Sequence, residues 1–209
     1  MTPEEELLDY RRSVSDIYSS VRNSQVDNST RWQRFREARD QLLCTHVQSA
    51  LSLEQKAAFS GLHYYPYDPA YRFIVPVEPD PEPETLDVHL KYDGTMRMRR
   101  FGKIHFAVQR QPLSLSVYWI EGYGGGLFLP FGDLTNNHET YGGGRYLLDT
   151  IKHADLGHED GHLVIDFNYA YNPSCAYNAR WYCPLAPAEN RLPVAIHAGE
   201  QSYHDFALS

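Results

Sequence analysis

The stretch Leu86-Asp87-Val88-His89-Leu90-Lys91-Tyr92-Asp93-Gly94 decides the fold class. Leu86, Val88, Leu90 and Tyr92 alternate with Asp87, His89 and Lys91, the period-2 pattern of a strand with one face toward a core. Asp93-Gly94 tolerates the positive φ of a primed turn and predicts a hairpin. Downstream, Ile104, Phe106 and Val108 stand opposite His105 and Gln109. Leu113, Leu115, Val117 and Trp119 then stand opposite Ser114, Ser116 and Tyr118. The alternation predicts burial of Leu86, Val88, Leu90, Ile104, Phe106, Val117 and Trp119. It predicts exposure of Lys91, Arg97 and Arg99. Further strands are expected at 71–75, 127–131, 146–151, 163–167 and 194–196. The expectation is a mainly β chain, an antiparallel closed or partly open barrel or sandwich of about seven or eight strands.

Upstream the period changes. Residues 4–22 carry apolar side chains at loosely helical spacing. Trp32, Phe35, Leu42, Leu43 and His46 form a second stripe that Asn28 or Ser29 can cap. Ser52 and Gln55 make a capping-box pattern opening a short helix that should end at Gly61. Two or three N-terminal α-helices are therefore predicted, with residues 1–62 a helical extension packing on a β domain of residues 63–209. The prolines at 66, 69, 76, 79, 81 and 83 forbid a helix between the two. Glu78-Pro79-Asp80-Pro81-Glu82-Pro83 reads as a stiff, solvated connection.

With 42% hydrophobic and 22% charged residues, the 209-residue chain can bury a core without disulfides. Its net charge is −8, and residues 121–209 hold four basic against eleven acidic side chains. An acidic chain lacks the Lys/Arg footprint of a nucleic-acid binder and is repelled by anionic membranes, so neither partner is expected. The N-terminal stretch has no apolar signal region, and no run approaches a membrane span. Three cysteines, Cys44, Cys175 and Cys183, fit free thiols in a reducing, cytoplasmic setting.

Polar and glycine-rich blocks crowd the second half. They read Phe131-Gly132-Asp133-Leu134-Thr135, Glu139-Thr140-Tyr141-Gly142-Gly143-Gly144-Arg145-Tyr146-Leu147, and Asp166-Phe167-Asn168-Tyr169-Ala170-Tyr171-Asn172-Pro173-Ser174-Cys175-Ala176-Tyr177. Cys183-Pro184-Leu185-Ala186-Pro187, Asn190-Arg191-Leu192 and Ala198-Gly199-Glu200 complete the set. In order over residues 59–200, these blocks resemble a bacterial and archaeal family catalogued as a domain of unknown function. Its signature reads ETYGxGRYL, then DFNxAYNPxCAY, CPLxPxxNxL and AGE. Asn136-Asn137-His138 departs from the family's Thr-Ser-Gly-type turn. The resemblance implies which residues to follow; it brings no activity.

Arg145 can hold a carboxylate or phosphate in two-point contact, with Glu139 as orienter or base; the competing reading is a structural ion pair with Glu139 or Asp166. The two Tyr-Gly-Gly-Gly segments read as turns and bulges before strands. Asp166, Asn168 and Asn172 would share one face of an extended chain and could wall a pocket, or could anchor loops through backbone hydrogen bonds. Cys175 is a candidate nucleophile, set against two buried, packed thiols at Cys175 and Cys183. His153, His158 and His162 fit a solvated hairpin tip better than a metal site. No motif implies a cofactor, a metal or an oligomeric state.

Three functions compete. The first is a small-molecule-binding barrel or sandwich with Tyr141, Arg145, Asp166, Asn168, Asn172 and Tyr177 around an acidic or polar ligand. The second is a hydrolase or transferase using Glu139 or Asp166 as general base, with Cys175 a lesser candidate nucleophile. The third is a non-catalytic structural or interaction module.

Overall fold

The fold is described from a computed structural model covering residues 1–91 and 94–203. Three helices come first: α1 (Pro3–Asn23), α2 (Asn28–Thr45) and α3 (Leu53–Ala57). Each starts where a side chain satisfies the free N–H groups of its first turn. Thr2 and Glu5 form a capping box on α1, as Ser52 and Gln55 do on α3. The cap of α2 is Asp27, not Asn28 or Ser29, because the Asp27 carboxylate accepts the Thr30 N–H at 3.0 Å. Helix α3 stops at Ala57, well before the expected Gly61. Among the described residues no helix is long and apolar enough to cross a membrane.

Among the described residues nine strands follow: β1 (Arg72–Val75), β2 (Glu78–Pro79), β3 (Thr85–Leu90), β4 (Gly94–Val108), β5 (Gln111–Ile120), β6 (Gly126–Phe131), β7 (Arg145–Asp149), β8 (His158–Glu159) and β9 (His162–Asp166). They form two antiparallel sheets, one in the order β1-β9-β8 and one in the order β2-β4-β5-β6-β7 with β3 also on β4. Neither sheet closes on itself, so the barrel alternative is corrected to open, facing sheets. Phe73 of β1 meets Phe106 of β4 at 5.2 Å between ring centroids, and Phe167 after β9 meets Phe106 at 5.4 Å and Phe131 of β6 at 5.0 Å. Such pairs each add about 0.5–1.5 kcal/mol beyond their burial.

The helices share this core. Trp32 and Phe35 of α2 are buried in the same apolar cluster as Ile104, Leu115 and Ile165. The Trp32 Nε1–H also donates to the Asn168 carbonyl at 2.9 Å.

Several sequence expectations shift locally. Leu90 pairs with Gly94 across β3 and β4, as a hairpin requires, while Tyr92 and Asp93 lie outside the described residues. Leu86, Val88 and Leu90 are half-buried rather than buried, because β3 leaves the main sheet path and lies at its edge. Ile104, Phe106 and Val117 are buried, Lys91 and Arg97 are exposed, and Arg99 is half-buried.

Trp119 is exposed and Tyr118 buried, the reverse of the alternation. A bulge between Arg100 and Gly102 shifts the β4–β5 register, and the Tyr118 hydroxyl is held by Glu189 at 2.6 Å. Residues 194–196 form no strand. The Pro-rich connection is partly structured, since β2 pairs with Lys103 and Gly102, and Asp80 takes the Arg100 guanidinium.

Candidate functional site

Strand β7 opens on Arg145, and its guanidinium is wholly buried. Nη2 donates to Asp133 Oδ2 at 2.8 Å and to the Ile196 carbonyl at 3.1 Å. Nη1 donates to the carbonyls of Ala198 and Glu200. The partner is therefore Asp133, correcting the expected pairing with Glu139 or Asp166. Asp133 is aimed by its own turn, where its Oδ1 accepts the Thr135 N–H and hydroxyl. With four protein acceptors and no exposure, Arg145 is a clamp between the 133–135 turn and the 196–200 segment.

Glu139 lies apart and exposed, accepting the Tyr65 hydroxyl at 3.0 Å with His197 at 3.6 Å. Asn172 and Tyr177 belong to a third cluster around buried Glu200. Glu200 accepts Asn172 Nδ2 at 2.9 Å, the Tyr177 hydroxyl at 2.5 Å and Arg39 Nη2 at 2.8 Å. Asp166, Asn168 and Asn172 do not share one face. Strand β9 ends at Asp166, and the chain turns through a 3₁₀ turn at Phe167–Tyr169. Asn168 bends back, giving its backbone N–H and its Nδ2 to Asp166 Oδ1 at 3.0 and 2.8 Å.

Asp166 instead opens onto a cleft of about 150 Å³ between the first two helices and the β1-β9-β8 sheet. Arg31, Arg72, His158, Glu159 and Tyr169 also line it. Burial pushes the Asp166 carboxyl up to about 6, against the opposing pull of the Asn168 hydrogen bonds and of Arg72 and Arg31. Arg72 is paired with Glu159. Among the described residues Arg31 makes no ion pair; its Nη2 donates to the Ser24 and Val26 carbonyls, and its buried Nε has no partner. Below about pH 6, where Asp166 keeps its proton, Arg31 faces no carboxylate partner among the described residues, and the cleft is then an anion-accepting arrangement.

Tyr141, Cys175 and Cys183 make a second compact group. The Gly142-Gly143-Gly144 turn folds the Tyr141 ring back. A Cβ on Gly143 would sit 2.5 Å from the Tyr141 ring, and Gly144 has φ of +89°. The Tyr141 hydroxyl then lies 3.5 Å from Cys175 Sγ, and the Cys175 N–H donates to Cys183 Sγ at 3.4 Å. Both thiols are free and half-buried, correcting the expectation of buried, packed cysteines. His158 and His162 are exposed at the β8–β9 tip.

The family described as a protein of unknown function, DUF1684, matches residues 57–201. The chain belongs to this family. It is similar to an uncharacterized protein of Haloarcula marismortui, known from a solution NMR structure. That protein is 34% identical over 82% of this chain and 92% of its own, with a TM-score of 0.59. No curated protein matches the chain.

The DUF1684 match contains Arg72, Asp166 and the whole Tyr141–Cys175–Cys183 group, whereas Arg31 lies outside it. Sequence reading missed Arg31 and Arg72. The available signal was weak: Arg31 sits in the first turn of a helix and Arg72 begins a strand, ordinary places for solvated cations.

Proposed function

We propose that this DUF1684 protein binds a small anion in the cleft floored by Asp166, with Arg31 and Arg72 supplying the charge. What supports the reading is Arg31, without an ion pair among the described residues, sharing a cleft with Asp166. A volume of about 150 Å³ is well below the roughly 300–1,000 Å³ of drug-sized pockets, so the ligand is phosphate-sized or a short carboxylate. The ligand anchor moves here from Arg145, whose Nη1 and Nη2 are both taken by protein acceptors and whose side chain reaches no solvent. A neutral Asp166 removes the repulsion between carboxylate and ligand, so binding strengthens as pH falls through about 6.

Phosphate titrated into wild type, Arg31→Gln and Arg72→Gln, followed by thermal melts at pH 5 and 7, tests the reading. A specific site raises the wild-type Tm at lower phosphate than either variant, and more strongly at pH 5. Equal rises in all three are the excluded-solute effect of a kosmotropic anion and would refute the site.

The proton affinity of Asp166 also favours a second reading, hydrolysis or group transfer with Asp166 as general acid–base, because a group titrating near working pH is suited to it. Cleavage of simple carboxylate or phosphate esters that vanishes in Asp166→Asn would select that reading.

A further inference from the structure

The Tyr141–Cys175–Cys183 group lies away from the Asp166 cleft, and neither reading of that cleft uses it. We propose that it is a peroxide-reactive dithiol, in which Cys175 is the attacking thiolate, Cys183 the resolving thiol and Tyr141 a positioning residue. Three observations carry this.

The sulfurs are brought together by loops. Cys175 lies in the 3₁₀ turn Ser174–Ala176, whose amide reaches the Cys183 sulfur, and Cys183 lies in a segment without regular structure. No sheet pairing has to break for a bond to form between them. Both thiols are half-buried, open enough for a reagent the size of hydrogen peroxide. The proton between them is also unevenly placed. Hydrogen bonds from the Cys183 thiol and the Tyr141 hydroxyl hold the Cys175 thiol well below the usual range. The bond to Cys175, then burial, pushes Cys183 up. Burial keeps the Tyr141 hydroxyl protonated, so it remains the donor. A stabilised thiolate beside a protonated thiol is the division of labour that oxidation to a disulfide needs.

The chemistry balances in two steps. The Cys175 thiolate attacks one oxygen of a hydroperoxide. An S–O bond forms, the O–O bond breaks, and the departing alkoxide or hydroxide takes a proton from solvent, leaving a sulfenic acid. The Cys183 sulfur then attacks the Cys175 sulfur. The S–S bond forms, the S–O bond breaks, and the Cys183 proton leaves with the hydroxyl as water. Two electrons pass from the thiols to the peroxide, and an excess of a small thiol reductant reverses the change.

The test exposes the full chain to stoichiometric hydrogen peroxide, blocks free thiols with iodoacetamide and maps the peptides without reductant. The expected product is a Cys175–Cys183 linked peptide with Cys44 alkylated. In Cys183→Ser, Cys175 should stop at the sulfenic acid and be captured by dimedone. Without peroxide, Cys175 should alkylate about tenfold faster than Cys44 at pH 7, and Tyr141→Phe should reduce that advantage. The proposal fails if Cys44 reacts as fast as Cys175 or enters the disulfide. It fails equally if wild-type Cys175 proceeds to the sulfinic acid while Cys183 stays free.

Discussion

Arg145 and Asp133 face each other at 2.8 Å, and neither side chain reaches solvent. The pair joins two loops that are distant in sequence, because the same guanidinium also holds the carbonyls of Ile196, Ala198 and Glu200. Its ring-facing side stacks on Phe131, 5.0 Å from the centroid. Removing one partner of a buried pair strands the other charge, so Arg145→Ala should lose about 3–5 kcal/mol of stability. Arg145→Lys keeps the charge but cannot reach every acceptor, and should recover only part. Urea unfolding of the three proteins measures this. A loss below about 1 kcal/mol in Arg145→Ala, within the range of a surface pair, would show that the clamp is not structural.

Asp166 carries a pH dependence of definite sign. Its carboxyl ionises near 3.8 when unfolded and at about 6 when folded. The native state therefore binds more protons between those values, and stability falls as pH rises through them. Below about pH 4 the contribution is fully present; above about pH 6 roughly 3 kcal/mol of it has gone. Asp166→Asn keeps an oxygen for the Asn168 N–H and removes the titration. Buried Asp149 shifts in the same direction, so the informative quantity is the difference between the two proteins. The variant should match wild type near pH 4 and exceed it at pH 7 to 8. Parallel stability curves across that range would contradict the assignment.

The two parts of the molecule were unequally legible. Period-2 alternation exposes a strand because each residue reports its own face, so β3, β4 and β5 could be read directly. The Ser52–Gln55 cap was legible because its partners lie three residues apart. Tyr118 was not, since its hydroxyl is held by Glu189, 71 residues away, and local alternation does not register such a contact. Arg145 was recognised as needing a partner, but Asp133 is chosen by the Asp133–Thr135 turn, which alternation does not register. The Asp166 cleft was the least legible. Its walls come from the helices, from Arg72 and from residues 156–159, and local periodicity carries no information on such distant contacts.

The helices should prove inseparable from the β domain. Arg39 of α2 donates to Glu200 at 2.8 Å and to Tyr177 at 2.8 Å. Phe35 packs edge-on against Tyr169 at 4.8 Å. Deleting residues 1–62 removes the cation bonded to the buried Glu200 carboxylate and uncovers the aromatic core. A protein of residues 63–209 alone should give no cooperative thermal transition. Sharp, reversible melting of that fragment would establish an independent β domain instead.

Asn190 sits where β5 and β6 diverge, and its side chain replaces the missing ladder. Its Oδ1 accepts the Ser116 N–H at 2.8 Å, and its Nδ2 donates to the Ser116 and Pro130 carbonyls at 2.9 and 2.8 Å. The residue is fully buried, so water cannot take over these bonds. Each buried backbone group left unpaired costs about 1–3 kcal/mol, and Asn190→Ala leaves three. A loss of at least about 3 kcal/mol is expected. Asn190→Asp separates size from hydrogen bonding: it fills the same space and still accepts from Ser116, but an ionised carboxylate cannot donate to either carbonyl. It should be as damaging as alanine at pH 7 and less so at pH 4, where protonation restores one donor. Denaturant midpoints for both variants at the two pH values decide the matter, and an Asn190→Asp protein as stable as wild type at pH 7 would remove Asn190 from the ladder.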